Sequence, residues 1–111
     1  MVGDYDAVVF IGGSGAQQYL DDPLAQSIAE ESVGQEKITA AICLAPVILA
    51  NAGILEGKSA TCYPTTSNSL TDAGVNYTAN PVEKDGDIIT ADGPASARQF
   101  GEEILKALSA E

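Results

Sequence analysis

Ala40-Ala41-Ile42-Cys43-Leu44-Ala45-Pro46-Val47-Ile48-Leu49 joins two apolar runs through a cysteine. The first run, Ile38 to Ile42, is short and does not alternate, as in a strand buried on both faces. The second opens with Pro46, which the first turn of a helix tolerates because the missing N–H would have no partner there anyway. Cys43 therefore falls in a tight strand-to-helix turn. A side chain on such an elbow stands proud of the sheet and faces the free N–H groups of the helix behind it. Both effects favour thiolate over thiol, and thiolate is the reactive form. The local pattern leaves a second reading equally open, a buried and inert cysteine.

Around this stretch, 111 residues allow one domain, residues 1–111, with one modest core. A hydrophobic share of 45% makes the chain globular rather than disordered. With 16 acidic against 5 basic residues the net charge is -11, which argues against nucleic acid and anionic membrane as partners. Two cysteines do not make a disulfide framework, so a reduced, cytoplasmic setting is expected. No run reaches the length of a membrane span, and the N-terminus lacks the regions of a signal peptide. The chain has no histidine, which removes the usual general base and the usual zinc ligand. Asp21, Asp22, Asp85, Asp87 and Asp92 lack calcium-loop spacing and read as caps, turns and surface. No metal and no cofactor is expected.

Asp6 to Ile11 reads as a strand, followed by Gly12-Gly13-Ser14-Gly15. That loop does not have the dinucleotide spacing, and a tight turn explains it as well. Asp22-Pro23 is an N-cap with a first-turn proline, and Leu24, Ala25, Ile28 and Ala29 recur at helical spacing until Gly34 closes the helix. The helix from Pro46 should end at Gly53. Ser59 to Cys62 is extended, Tyr63 to Thr66 a loop, and Ser67 to Ala73 a short helix stopped by Gly74. Val82-Glu83-Lys84 and Asp87 to Thr90 form a hairpin with Asp85-Gly86 as its turn. Gly93-Pro94 opens a last helix with Ala97, Phe100, Ile104, Leu105 and Leu108 on its apolar face. Proline-opened helices alternating with unbroken apolar strands mark an α/β fold with a parallel sheet. Its core should draw on Val8, Val9, Phe10, Ile11, Ile38, Ile42, Ile88 and Ile89 from strands, with Leu24, Ile28, Ile48, Leu49, Phe100, Ile104 and Leu108 from helices. Open α/β sheets place their sites in loops at the carboxyl ends of strands. If the first two strands are neighbours, the N–H groups of Gly13 and Leu44 can point at one oxygen near the Cys43 sulfur, an oxyanion hole beside a nucleophile. The nucleophile elbow of the serine hydrolases is the nearest general analogy.

Tyr5-Asp6-Ala7-Val8-Val9, then Gly12-Gly13, then Ala41-Ile42-Cys43-x-x-Pro46 resembles the ThiJ/PfpI superfamily. Gly15-Ala16-Gln17, Val82-Glu83-Lys84-Asp85-Gly86 and Gly93-Pro94 are similar to its parkinsonism-associated protein deglycase branch. The resemblance runs from Asp4 to Leu108. It implies a flavodoxin-like three-layer sandwich with a nucleophile elbow, of which this chain is the C-terminal portion. It implies that Cys43 is the reactive, oxidisable thiol, that Gly13 and Leu44 bind the oxyanion, and that the function is of glyoxalase or deglycase type on small carbonyl or glycated groups. Redox-sensing or chaperone-like use of the same thiol is the alternative, as is a half-domain that works only when joined to another polypeptide.

The sequence departs from the family in three places. Leu44 stands where protease members carry histidine, so peptidase activity is not expected. Tyr63 stands where the deglycase branch carries histidine; with Gly12 it is a candidate pocket residue. The resemblance also implies that about half a domain precedes this point in family members, within usual domain sizes. That piece brings a strand beside Asp6–Ile11 and the glutamate that bonds the cysteine. A homo-oligomer or a complementing N-terminal chain is therefore expected. Cys62 reads as a small buried hydrophobe. A resolving role for it would require contact between the sulfurs.

Overall fold

A computed structural model describes residues 3, 5–12 and 20–109 of the chain. Strands β1 (Ala7–Ile11), β2 (Ile38–Ile42), β5 (Val82–Asp85) and β6 (Ile88–Ala91) form one sheet in the order β1-β2-β6-β5. β1, β2 and β6 are parallel, and β5 closes the far edge antiparallel to β6. Two short parallel strands, β3 (Ser59–Ala60) and β4 (Asn76–Tyr77), make a separate ribbon. Helix α1 (Pro23–Gly34) follows β1, α2 (Pro46–Asn51) follows β2, α3 (Ser67–Asp72) lies between β3 and β4, and α4 (Ala97–Ser109) ends the fold.

All of β2 is buried, and its side chains divide between two cores. Ala41 joins Ala29 of α1, residues Val47 to Ala50 of α2, Leu55, Leu70 and Ile88 on one face. Ile38, Ala40 and Ile42 meet Ile89, Ala91 and Phe100 on the other, with Ile104 and Leu108 of α4 against them. A parallel strand covered on both faces does not alternate in polarity, which is why its sequence does not. Its one hydroxyl on the α1 side, Thr39, is paired with buried Ser32 at 2.7 Å, so the polar group is not left without a partner.

The helix starts follow the sequence. Asp22 caps α1 by accepting from the Leu24 N–H at 2.8 Å, and Pro23 and Pro46 take the first helical positions. Pro94 opens a short 3-10 turn (Pro94–Ser96) that leads into α4. α1 ends at Gly34, as expected, and the left-handed turn follows it. Gln35 caps it, and Glu36 takes the left-handed position at φ 58, with the Lys37 N–H closing back on the Ser32 carbonyl at 2.9 Å. In the hairpin, Asp85 pairs with Ile88, so the turn is Gly86-Asp87, one residue later than expected. A two-residue turn needs positive φ at its first central position, and Gly86 supplies it at φ 62. The β4 strand was not anticipated.

The core also differs from expectation. Ile11 is 80% exposed, Val9 41%, Leu24 68% and Leu105 66%. Among the described residues β1 is an edge strand, and α4 packs chiefly over β2, β6 and β5, which leaves Val9 and Ile11 largely uncovered.

The left-handed backbone at Glu36 yields a stability test. A residue with a Cβ is disfavoured there and glycine is not. A Glu36→Gly change is expected to stabilise the fold by about 0.5–1 kcal/mol, read as a higher denaturation midpoint. A lower midpoint would show that the side chain matters more than the backbone at this cap.

Candidate functional site

Cys43 is the first residue beyond β2 and has φ 67. A left-handed backbone costs a residue with a Cβ about 1–2 kcal/mol, so the surrounding structure must impose it. Two hydrogen bonds do so. The Cys43 N–H donates to the Ala91 carbonyl of β6 at 3.0 Å, and the Tyr63 N–H donates to the Cys43 carbonyl at 2.8 Å. The chain then folds into α2 through a turn in which the Ala45 N–H donates to the Ile42 carbonyl at 3.2 Å. Among the described residues the Leu44 N–H has no backbone acceptor.

Gly12, at the end of β1, lies against this turn. A Cβ built on it would stand 2.5 Å from the Ala45 nitrogen, 2.9 Å from the Ile42 carbonyl oxygen and 3.0 Å from the Leu44 nitrogen. Only glycine permits that approach. The β1–β2 register brings it about, since Ile11 is opposite Ile42 and Gly12 therefore arrives beside Cys43.

The elbow borders a cavity of about 370 Å³. Ile42 and Phe100 lie at its base, with Ile11, Gly12, Pro94 and Ala97 around it, and Cys43 supplies its one reactive group. Gly12 thus stands where a pocket residue was expected. Tyr63 does not line the cavity. Its ring lies against Gly93, next to the wall residue Pro94, and the side of the residue that meets the elbow is its main chain. Gly13, the second expected oxyanion donor, falls outside the described residues, as does Gly15-Ala16-Gln17.

Both cysteines are free thiols. Cys62 is wholly buried in the core beneath α2, whereas Cys43 packs against the core beneath α4. Burial pushes the Cys62 thiol up; a hydrogen bond with the Thr66 side chain offsets part of this, and the nearby Cys43 charge adds to the rise. A thiol so placed is a poor nucleophile. The features that sequence reading missed are the carbonyl of Ala91, the amide of Tyr63 and the side chain of Thr66. The Thr66 N–H and hydroxyl both donate to the Tyr63 carbonyl, at 2.9 and 2.8 Å. Thr66 follows Pro64 in a turn-forming run, but nothing local says which main-chain group that turn would hold. No group of three or more metal-ligating side chains occurs among the described residues.

A strand-ending cysteine in a left-handed strand-to-helix turn, with a glycine packed on it, has the geometry of the elbow found in one class of α/β domains. The DJ-1/PfpI family matches residues 1–107, and the chain belongs to it. It is 44% identical over 108 residues to an uncharacterized protein of Methanocaldococcus jannaschii, covering 95% of this chain and 53% of that one. It is 32% identical over 105 residues to a deglycase of Pyrococcus horikoshii, covering 95% of this chain and 63% of that one. The crystal structure of a ThiJ/PfpI domain protein from Brachyspira murdochii superposes with a TM-score of 0.98 at 33% identity, over 100% of this chain and 64% of the other. The fold is thus the flavodoxin-like α/β fold expected from the sequence. The chain spans between half and two thirds of the length of these relatives.

Gly12 offers a direct test of the elbow. A Gly12→Ala change puts a methyl group within 2.5 Å of the Ala45 nitrogen. Overpacking of this kind costs about 1–3 kcal/mol. The variant is expected to lower the denaturation midpoint accordingly and to slow alkylation of Cys43 under native conditions. A variant with unchanged midpoint and unchanged labelling would mean that β1 and the elbow are free to separate.

Proposed function

We propose that Cys43 is the nucleophile of a centre for carbonyl or glycation repair, of glyoxalase or deglycase type. The observation that carries this reading is the left-handed elbow, with Cys43 beside an apolar cavity and a Leu44 N–H lacking a backbone acceptor among the described residues. Relatives named as a deglycase and as a glutathione-independent glyoxalase support the same class of chemistry. A thiolate on Cys43 adds its electron pair to the carbonyl carbon of a small aldehyde. The C–S bond forms, the carbonyl π pair moves to oxygen, and the alkoxide takes the Leu44 N–H as a donor, with Gly13 as the expected second. Protonating that alkoxide and moving further protons need an acid–base group. The chain has no histidine, and Asp92 already accepts from the Ser96 hydroxyl at 2.5 Å. Without general acid–base catalysis the rate falls by about 10²–10⁴-fold. We therefore assign that role to a segment from outside these residues, either a complementing N-terminal chain or a second copy.

The exposed edge of β1 supports such an assembly. Among the described residues no strand pairs with its outer side, Val9 and Ile11 are exposed, and an apolar sheet edge of this kind is normally covered. The lack of histidine favours a second use of the same thiol, reversible oxidation without turnover. Two free cysteines suit a reducing, cytoplasmic setting, and no helix among the described residues is long and apolar enough to cross a membrane. Peptide hydrolysis, which needs both a base and an acid at the leaving amine, is not proposed.

Turnover of methylglyoxal by the chain alone is expected to be weak and to vanish in Cys43→Ala. It should rise when a fragment carrying an acidic residue from a longer relative is added. Limiting peroxide followed by peptide mapping should find oxidation at Cys43 before Cys62; preferential attack on Cys62 would end the assignment. Native mass spectrometry of the purified material is expected to show more than one polypeptide per particle. A monomer that unfolds cooperatively across a wide concentration range would refute the assembly.

A further inference from the structure

The carbonyl of Cys43 and the N–H of Leu44 are the two ends of one peptide group. That group is planar and trans, so the oxygen and the hydrogen point in opposite directions. Whatever fixes the oxygen also aims the N–H. The ladder cannot do this. Pairing with β1 ends at Ile11 opposite Ile42, and pairing with β6 ends at Ala91 opposite the same residue. The Cys43 carbonyl is instead held by the Tyr63 N–H at 2.8 Å. Tyr63 is fixed in turn, because its own carbonyl accepts from the N–H and the hydroxyl of Thr66.

We propose that Tyr63, through its main-chain N–H, and Thr66 behind it are positioning residues that aim the Leu44 N–H at the oxygen formed on Cys43. This deepens the reading of Cys43 as a nucleophile and rests on it. The phenol has no part in this role. The N–H donates to one end of a peptide whose other end donates to the substrate oxygen, so the two hydrogen bonds polarise each other. Any residue except proline can supply the Tyr63 amide, so a Tyr in place of the histidine of other family members does not disturb this role.

Tyr63 has φ -58 and ψ 131, a conformation that proline also adopts. Tyr63→Pro therefore removes the N–H at a backbone geometry it can keep. The thiol chemistry is read as the rate of sulfinic acid formation on Cys43 under limiting peroxide. The backbone is read independently from the Cys43 Cα and Cβ chemical shifts, which report the left-handed conformation whether or not the thiol reacts. Tyr63→Pro is expected to slow oxidation by about 10²-fold, the loss typical of one oxyanion donor, and to remove the left-handed shifts. Thr66→Val, which loses one of the two bonds to the Tyr63 carbonyl, is expected to slow it about threefold to tenfold, and Thr66→Ser to restore it. Rates are compared well below each variant's melting midpoint, and the Thr66 pair decides the matter if Tyr63→Pro does not fold. Unchanged shifts and rates in both Tyr63→Pro and Thr66→Val would overturn the proposal, as would a Tyr63→Phe change as costly as Tyr63→Pro. If the shifts respond as expected while Cys43 of the unaltered chain oxidises no faster than Cys62, the positioning holds and the nucleophile reading fails.

Discussion

Strand β2 has no free edge and no free face. β1 and β6 bond to its two sides, α1 and α2 cover one surface, and α4 covers the other. Such a strand cannot slip, because a shift of one residue would exchange its two sets of side chains between layers. It would also separate the Thr39 and Ser32 hydroxyls, leaving buried polar groups without partners. The position of Cys43 is therefore set by packing some distance below it. Ala40 and Ala41 at the centre of β2 are small, so they add little bulk between the sheet and the helices on either face. The strain at the elbow is tolerable because it lies at the end of a strand buried on both faces and paired on both edges.

The parts of the fold that were legible in the sequence are those in which one residue type has one physical use. Pro23, Pro46 and Pro94 open helical turns because proline fixes φ and lacks the N–H those positions do not need. Ile38 to Ile42 is buried on both faces because nothing in it alternates. Where two residues compete for one role, local reading fails. Gly34 and Glu36 both lie near the end of α1, and glycine is the better left-handed residue, yet Gly34 is the last helical residue and Glu36 takes the left-handed turn. The register of β2 against β1 decides that, since it sets where the chain must leave the helix to start Ile38 beside Ala7. The exposure of Val9 and Ile11 was equally illegible. An apolar strand reads the same whether its cover lies in the same segment of chain or elsewhere, and this sheet order leaves β1 at the edge.

The candidate site divides along the same line. Cys43 announces itself by standing between a buried strand and a proline-opened helix, and Gly12 by standing at the end of the neighbouring strand. The groups that hold Cys43 do not. The Ala91 carbonyl comes from a strand 48 residues further on and the Tyr63 amide from a turn 20 residues on, differences taken directly from the numbering. Every residue has a carbonyl and every residue but proline an N–H, so no residue type marks these contacts. They depend on the register of β6 and on the turn that Thr66 closes, which are products of the whole fold. What remains unread in the sequence is therefore main-chain chemistry.

The two thiols show how the layers limit the chemistry. Cys62 is adjacent in sequence to the residue that clasps the elbow, which suggests a resolving partner for an oxidised Cys43. The packing argues otherwise. Cys62 belongs to the core beneath α2 and Cys43 to the edge of the core beneath α4. A disulfide would require Cβ atoms about 3.5–4.5 Å apart with suitable orientation, and Cys62 is wholly buried where it stands. Burial also pushes the Cys62 thiol up, which disfavours it as the attacking group, since a thiol attacks a sulfenic acid only as thiolate. On the proposed reading, the reductant of an oxidised Cys43 is a thiol arriving from solution, and the apolar cavity beside Cys43 is the space open to it. Carbonyl chemistry needs a proton group beside that same cavity. On the proposed reading the elbow supplies a nucleophile and a place for the new oxygen in both cases, and the second reactant meets it at the cavity that Ile11 borders. Ile11 is both exposed and a wall of that cavity, so a partner covering this part of β1 would also bear on access to Cys43.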